Sequence, residues 1–397
     1  MKLNPSILRG VKGMGFERPS PIQEKTIGLL LEGREVIGQA KTGSGKTAAF
    51  SIPLLQSIEE KDHSVHALVL APTRELAVQI TEEMRKLGAF TRVRVTTVYG
   101  GQPVNIQRDA LRRGAHIVVG TPGRVIDLIK RGWLDLRSVR SVVLDEADTM
   151  LDMGFIDDVD YILGRITSKK QLCLFSATMP QKITDLSRKY MKDPVRVLID
   201  QDEPSVESLD QYFAVVGHQE KLLFLLDLLR REHPVSAIVF RRTKRGAHNL
   251  AADLQRNGFA TVPLHGNLSQ NQRDRHMDAF RAGRAEILVA TDIASRGIDV
   301  SEVACVVNYD IPMDPRVYFH RVGRTARAGR AGRAFSFVSQ EESSDFAQIL
   351  KLTKAPIAPM RPEDKLRTFE PSRPKVRFPS RRPNGRGRRP WARIQNN

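Results

Sequence analysis

Cysteine is nearly absent from this chain: Cys173 and Cys305 are the only two among 397 residues. Each sits in an apolar, strand-like run, and the pair lacks metal-ligand spacing. That excludes a disulfide scaffold and a cysteine-rich zinc module; two buried, reduced thiols fit a reducing compartment, the cytoplasm. Long hydrophobic runs are missing as well. No stretch approaches the roughly 18–20 consecutive apolar residues of a membrane helix, and the N-terminus has no apolar signal core. Membrane attachment is therefore not expected.

What is present is a soluble, globular composition, 41% hydrophobic and 27% charged. The length exceeds what one ordinary core organises, so two domains are expected. A formal net charge of +18 calls for a polyanionic partner. Its distribution is uneven. Residues 361–397 hold twelve Lys/Arg against three Asp/Glu, so half the excess lies on a short Pro/Arg-rich end.

Short β-rich runs alternate with helix-patterned segments twice over. Strand candidates in the first half are Glu35–Ile37, Ala67–Leu70, Val93–Val98, His116–Val119, Ser141–Leu144 and Leu172–Phe175. In the second half they are Gln211–Val216, Ser236–Phe240, Glu286–Ala290, Ala304–Asn308 and Ala334–Val338. Such alternation predicts βαβ units and parallel sheets, an α/β fold. The boundaries read as a first lobe over 1–200, a linker over 201–208, a second lobe over 209–353 and a basic, disordered tail over 354–397. Polar clusters repeatedly follow strand ends. In parallel sheets these share the carboxyl edge, where ligands bind.

Two of those clusters carry phosphate chemistry. Lys41-Thr42-Gly43-Ser44-Gly45-Lys46-Thr47 follows a strand and opens a helix. Its glycines permit a tight turn around phosphates, Lys46 is placed for the β/γ-phosphates, and Thr47 for magnesium. Ala40 stands where the common pattern has a first glycine. Asp145-Glu146-Ala147-Asp148 ends the apolar run Val142-Val143-Leu144. Carboxylates packed there need partners: Asp145 suits magnesium, partly through water, and Glu146 suits orienting the attacking water. Together the clusters predict ATP and Mg2+ as cofactors.

The tetrapeptide and the motif order over roughly residues 10–340 resemble the DEAD-box RNA helicases of superfamily 2. The resemblance implies two tandem RecA-like lobes, with ATP and single-stranded RNA closing the cleft between them. Gly15 to Gln23 is similar to the family's adenine-recognising motif, which implies nucleotide contacts from Phe16, Arg18 and Gln23, beside Thr42, Gly43, Ser44, Gly45, Lys46 and Thr47. An aromatic that members usually carry upstream would precede Met1, so either the start is truncated or the adenine contacts are weaker. In the second lobe, Gly297 and Asp299 resemble the motif completing the nucleotide pocket. Arg324 and Arg327 match the arginine fingers, with Ala326 where glycine is commoner. Asp148, Ser176, Thr178, His320 and Arg321 are implied to couple hydrolysis to RNA.

RNA contacts are implied for Pro72, Thr73, Arg74, Gly100, Gly101, Thr121, Pro122, Gly123 and Arg124. In the second lobe they fall on Arg241, Thr243, His265, Gly266, Gln270, Arg273 and Thr291. Thr hydroxyls and Gly pairs suit phosphate and 2′-hydroxyl contacts more than base reading. The expected activity is RNA-stimulated ATP hydrolysis driving local, non-processive unwinding of short duplexes. An ATP-gated RNA clamp or remodeller of RNA–protein complexes uses the same nucleotide site, and a DNA-directed helicase is a third reading. A monomer is expected, with ribonucleoprotein or RNA-processing partners. Arg381, Arg382, Arg386, Arg388, Arg389 and Trp391 suit sequence-independent RNA capture by the tail. Deleting residues 361–397 should leave RNA-stimulated ATP turnover intact and weaken RNA affinity chiefly at low salt. Fluorescence anisotropy at two salt concentrations checks this; unchanged affinity reduces the tail to a solubilising segment.

Overall fold

A computed structural model describes residues 3–40, 43–168, 170–199, 209–295, 303–326, 332–353 and 356–360. Thr42, Gly297, Asp299, Arg327, the linker expected at 201–208 and residues 361–397 lie outside these. The first lobe carries β1 (Val36–Gln39), β2 (Ala67–Leu70), β3 (Val95–Val98), β4 (Ile117–Gly120), β5 (Ser141–Leu144), β6 (Gln171–Ser176) and β7 (Val195–Leu198). The second carries β8 (Leu209–Val215), β9 (Ala237–Phe240), β10 (Thr261–Leu264), β11 (Ile287–Ala290), β12 (Cys305–Asn308), β13 (Gly332–Val338) and β14 (Ile357–Pro359). The sheets run β3-β4-β2-β5-β6-β1-β7 and β10-β11-β9-β12-β13-β8-β14. These are one topology used twice, and every recorded pairing in both is parallel.

Side-chain alternation explains why these short runs become central strands. Val36, Val69, Val143, Cys173 and Phe175 face one side, where Phe175 meets Phe50 with ring centroids 5.4 Å apart. Ile37, Leu68, Leu70, Val142, Leu144, Leu172 and Leu174 face the other. Both faces are covered by helices, the arrangement that parallel strands require. Burial pushes the thiols of Cys173 and Cys305 up to about 12, so both stay protonated. No helix among the described residues is long and apolar enough to cross a membrane.

Three strands were not marked by the sequence pattern: β7, β10 and β14. All are sheet edges. β7 is largely accessible, and β10 and β14 each contain a proline, which edge strands tolerate because no ladder amide is needed there. The second sheet therefore extends past residue 353, where the sequence pattern ends the lobe: Ile357–Pro359 pair with Gln211–Phe213.

The strand order also sorts the chemistry. Along the carboxyl edge of the first sheet come, in turn, the phosphate loop after β1, Ser176 ending β6 and Asp145 after β5. Beyond them lie Pro72 and Thr73 after β2, Thr121 after β4, and Gly100 beyond β3. Nucleotide candidates occupy one half of the edge, polynucleotide candidates the other, and the acidic strand end separates them.

Candidate active site

Gly43 and Gly45 take left-handed backbone, φ +83° and +89°, a conformation that favours glycine. Gly45 has a second reason to be glycine. A Cβ there would stand 2.5 Å from Gln23 Nε2 and 2.9 Å from Ser20 Oγ. Those side chains hold the loop from below: Gln23 Nε2 donates to the Gly45 carbonyl at 3.1 Å, and Ser20 Oγ to that of Ser44 at 2.7 Å. Gln23 Oε1 accepts from the Ser20 amide at 3.0 Å, capping helix Pro21–Leu31. Phe16 is half-buried against the core and Arg18 is exposed. Lys46 opens helix Lys46–Ser57 and is buried, its Nζ donating to the Ala40 carbonyl at 2.8 Å. Only the Ala40 carbonyl takes part in that bond, so a side chain at 40 does not prevent it. Thr47 follows in the first turn, half-buried.

Asp145 and Glu146 are 2% and 8% exposed, so both need compensation. Asp145 Oδ1 accepts the Glu146 amide at 3.0 Å. Burial lifts the Asp145 carboxyl to about 6; Lys46 pulls it down, while Glu146 and Asp148 add repulsion. Glu146 itself is forced into left-handed backbone, φ +50°, at the start of helix Ala147–Asp152. Strain of this kind costs on the order of 1–3 kcal/mol and collects at functional sites. The Asp148 amide donates to Ser176 Oγ at 3.1 Å, and its Oδ2 accepts the Thr178 amide and hydroxyl at 2.8 and 3.0 Å. Asp148, Ser176 and Thr178 are thus one hydrogen-bonded unit spanning β5 and β6.

The second lobe reaches this acidic end. Arg324 and His320 share a small cavity with Lys46, Glu146, Asp148, Thr149, Asp152 and Ala177. Arg321 does not. It is 2% exposed, forked onto Asp292 at 2.6 and 2.8 Å, with Nη1 on Asn308 Oδ1 and the Asp310 carbonyl at 3.2 and 2.6 Å. It acts by tying β11 to β12 under the helix Pro315–Val322 that carries His320. Thr325 Oγ1 donates to the Val303 carbonyl at 2.5 Å, anchoring the turn beyond Arg324. Ala326 in that turn has φ +55°, so the departure from glycine carries backbone strain.

The other strand-end residues divide by what already occupies their polar atoms. Thr73 and Thr243 cap helices Arg74–Leu87 and Lys244–Arg256, accepting from the Leu76 and Gly246 amides at 3.3 and 3.0 Å. Pro72 is buried; Thr121 and Pro122 begin helix Pro122–Lys130, with Gly123 exposed and Arg124 donating to the Gln102 carbonyl at 3.2 Å. Arg74 lies over Gly101, leaving 2.1 Å where a Cβ would stand, and next to Gly100. Across the lobes, Arg74 Nη1 donates to Gln270 Oε1 at 2.6 Å and Arg273 pairs with Glu75 at 2.7 Å. Arg241 pairs with Asp310 at 2.9 Å. His265, beside Gly266 and near Thr291 on the neighbouring strand, is 4% exposed, and neither of its ring nitrogens has a partner among the described residues. The same holds for Arg273 Nε. Burial, with His248 and nearby cations, lowers the His265 pKa, keeping the ring neutral.

A profile of the DEAD/DEAH box helicase family matches residues 20–186, and one of the helicase conserved C-terminal domain matches residues 220–329. The DEAD-box ATP-dependent RNA helicase CshA of Geobacillus kaustophilus is 48% identical over 82% of this chain and 69% of its own length. The chain belongs to the DEAD-box helicase family. CshA of Streptococcus pneumoniae is also 48% identical over 82% of the chain, which spans only 62% of that relative. Among solved structures, Saccharomyces cerevisiae Dbp5 bound to RNA and ADP BeF3 superposes with a TM-score of 0.80, at 34% identity, covering 90% of this chain and 94% of its own. A DEAD box protein from Methanococcus jannaschii is 40% identical over 91% of this chain and 98% of its own, with a TM-score of 0.53. The fold of two parallel sheets with flanking helices is that of tandem RecA-like lobes.

Sequence reasoning missed Glu75, Asp292 and Asp310, the carboxylates that hold the expected arginines. Glu75 and Asp292 directly follow residues it did select, Arg74 and Thr291, so the signal was adjacent but its partner was not. Two measurements follow for this DEAD-box protein. A cation that binds at Asp145, as expected of magnesium, would displace the proton held up to about 6, so Mg2+-nucleotide affinity should be flat above that pH. Below it, affinity should fall about tenfold per unit, as titrations with a fluorescent nucleotide would show. Ala326→Gly should raise the stability of the second lobe by about 1 kcal/mol, seen as a higher urea midpoint.

Proposed function

We propose that this chain is an RNA-dependent ATPase that couples hydrolysis to local, non-processive unwinding of short RNA duplexes, acting as a cytoplasmic monomer. One observation carries the reading: Arg324 of the second lobe lines the same cavity as Lys46 and Glu146 of the first. A site divided between lobes works only when they meet, and RNA spanning both supplies the reason to meet. The names of CshA and of RNA-bound Dbp5 support RNA as that polymer.

The residues fit a nucleoside triphosphate with magnesium. Gly43 and Gly45 hold the loop in the left-handed backbone that a tight turn around phosphates uses, and a hydroxyl at Thr47 with a carboxylate at Asp145 is the hard-oxygen set magnesium prefers. ATP with Mg2+ supplies the phosphoryl group and the charge that polarises it. In this reading Lys46 leaves the Ala40 carbonyl for the phosphates, and Glu146, raised by its left-handed backbone, orients the attacking water. Arg324, with Arg327, stabilises the developing charge, a contribution of roughly 10³–10⁵ in rate for such fingers. Gln23 keeps one amide hydrogen for adenine while holding the loop with the other. Gly297 and Asp299 complete the nucleotide pocket.

Asp148, Ser176 and Thr178 transmit the state of the nucleotide from β5 to β6. On the polynucleotide half, the unpartnered ring nitrogens of His265 and the Arg273 Nε suit RNA phosphate and 2′-hydroxyl groups. Arg74 and Gln270 trade their mutual bond for RNA, the linker at 201–208 serving as hinge. DNA stacking averages roughly 1.4 kcal/mol per step, so a single closure separates only short duplexes. Glu146→Gln should retain ATP and RNA binding and abolish turnover. Arg324→Ala should lower RNA-stimulated hydrolysis by about 10³-fold or more without changing nucleotide affinity. Steady-state ATPase with and without RNA, and with GTP as control, reads both; undiminished turnover in either variant removes its assignment. Strand displacement on a short RNA duplex distinguishes unwinding from an ATP-gated clamp, which hydrolyses without releasing the strand.

A further inference from the structure

A basic groove lies outside the cleft, along the free edge of β3. Helices Arg74–Leu87 and Val104–Arg112 form its walls, β3 its floor, and its volume is about 580 Å3. Arg85, Arg94 and Arg113 line it and no carboxylate does. All three arginines are exposed. A polyanion is therefore the complementary occupant.

The state of the strand edge decides between a polypeptide and a nucleic acid. A peptide adding a strand to β3 would need its outward backbone groups free. At its start and just past its end they are taken. Arg85 Nη2 donates to the Val95 carbonyl at 2.8 Å, and Gln107 both donates to the Tyr99 carbonyl and accepts its amide, at 2.8 and 3.1 Å. Such side chains seal an edge against strand addition. What stays exposed is guanidinium, held in place: Arg94 lies over Gly114 with Nη2 2.7 Å from His63 Nδ1. Guanidinium suits phosphate.

Position agrees with chemistry. Tyr99 and Gln102 line one end of the groove and flank Gly100 and Gly101, the last RNA candidates on the carboxyl edge. The groove therefore starts where the proposed RNA face stops, and β3 extends it by four residues, roughly 13 Å. We propose that single-stranded RNA leaving the cleft continues along the β3 groove, with its phosphates on Arg94 and Arg113, so that the first lobe holds a few nucleotides beyond the cleft. This rests on the RNA-dependent reading above.

Oligouridines of increasing length, bound to the full chain and read by anisotropy, test it. The variant is Arg94→Gln with Arg113→Gln; Arg85 is left in place because it caps Val95. Wild type should gain affinity with length beyond the shortest RNA that stimulates ATPase, and the variant should lose that gain. For the longest oligomer the slope of log affinity against log salt should become shallower by about 1.4, from 0.7 for each of two phosphates. Arg94→Lys with Arg113→Lys should restore most of the gain. Turnover stimulated by the shortest active RNA should be equal in all three proteins, and it reads the underlying RNA-dependent function separately. A length gain retained by the glutamine variant, or absent from wild type, overturns the proposal. Loss of poly-glutamate binding in the variant with an unchanged RNA length gain would assign the groove to an acidic polypeptide instead.

Discussion

Parallel pairing of β1, β6 and β5 is the constraint on which the rest depends. Gln39 is level with Ser176 and Leu144 with Leu174, so β1 and β6 end together, β5 ends two residues earlier, and the phosphate loop, Ser176 and Asp145 are delivered to one edge. A one-residue slip in any pairing would turn the apolar set of that strand to the wrong face. Because both faces of the sheet are buried, that slip is costly, and hydrophobic burial in effect sets the alignment of the polar edge. The second lobe repeats the strand order and uses it to aim arginines at the first.

The site concentrates unfavourable terms that the surrounding packing must hold. Asp145 keeps a carboxyl buried enough to lift its pKa to about 6, and Glu146 sits in left-handed backbone next to it. On the other side Arg321 is removed from water only because Asp292, Asn308 and the Asp310 carbonyl take its donors. Breaking such a buried pair by removing one partner leaves an uncompensated charge, which is far more costly than the pair is stabilising.

Legibility of the fold followed burial. The central strands carry contiguous Val, Ile and Leu and stand out in the sequence; β7, β10 and β14 are edges, with accessible or proline-bearing residues and no such run. In the site, residues whose place is local were legible, Lys46 at a helix start and Asp145 at a strand end, whereas Thr73 and Thr243, expected at RNA, turn out to spend their hydroxyls on helix caps. The pairing of Arg74 with Gln270 and of Arg273 with Glu75 was not, because nothing local to either residue encodes a partner in the other lobe. Gln23 was expected at the adenine, and its grip on the Gly45 carbonyl adds a function that spacing alone does not display.

Alternating apolar runs, two glycines before Lys46 and an acidic cluster after an aliphatic strand were enough, by themselves, to determine two α/β lobes and a triphosphate site. Those are short-range properties, set by backbone conformation and by the period of burial. Only the tertiary structure decided which arginine enters the cavity with Glu146 and which is spent inside its own lobe. Arg321 and Arg324 are three residues apart on one turn, yet one is consumed by Asp292 and the other lines the cleft. Likewise, Arg85, Arg94 and Arg113 form a groove only because two helices and an edge strand bring them together. Electrostatic partnership is a matter of distance in space, and that distance exists only once both lobes have folded.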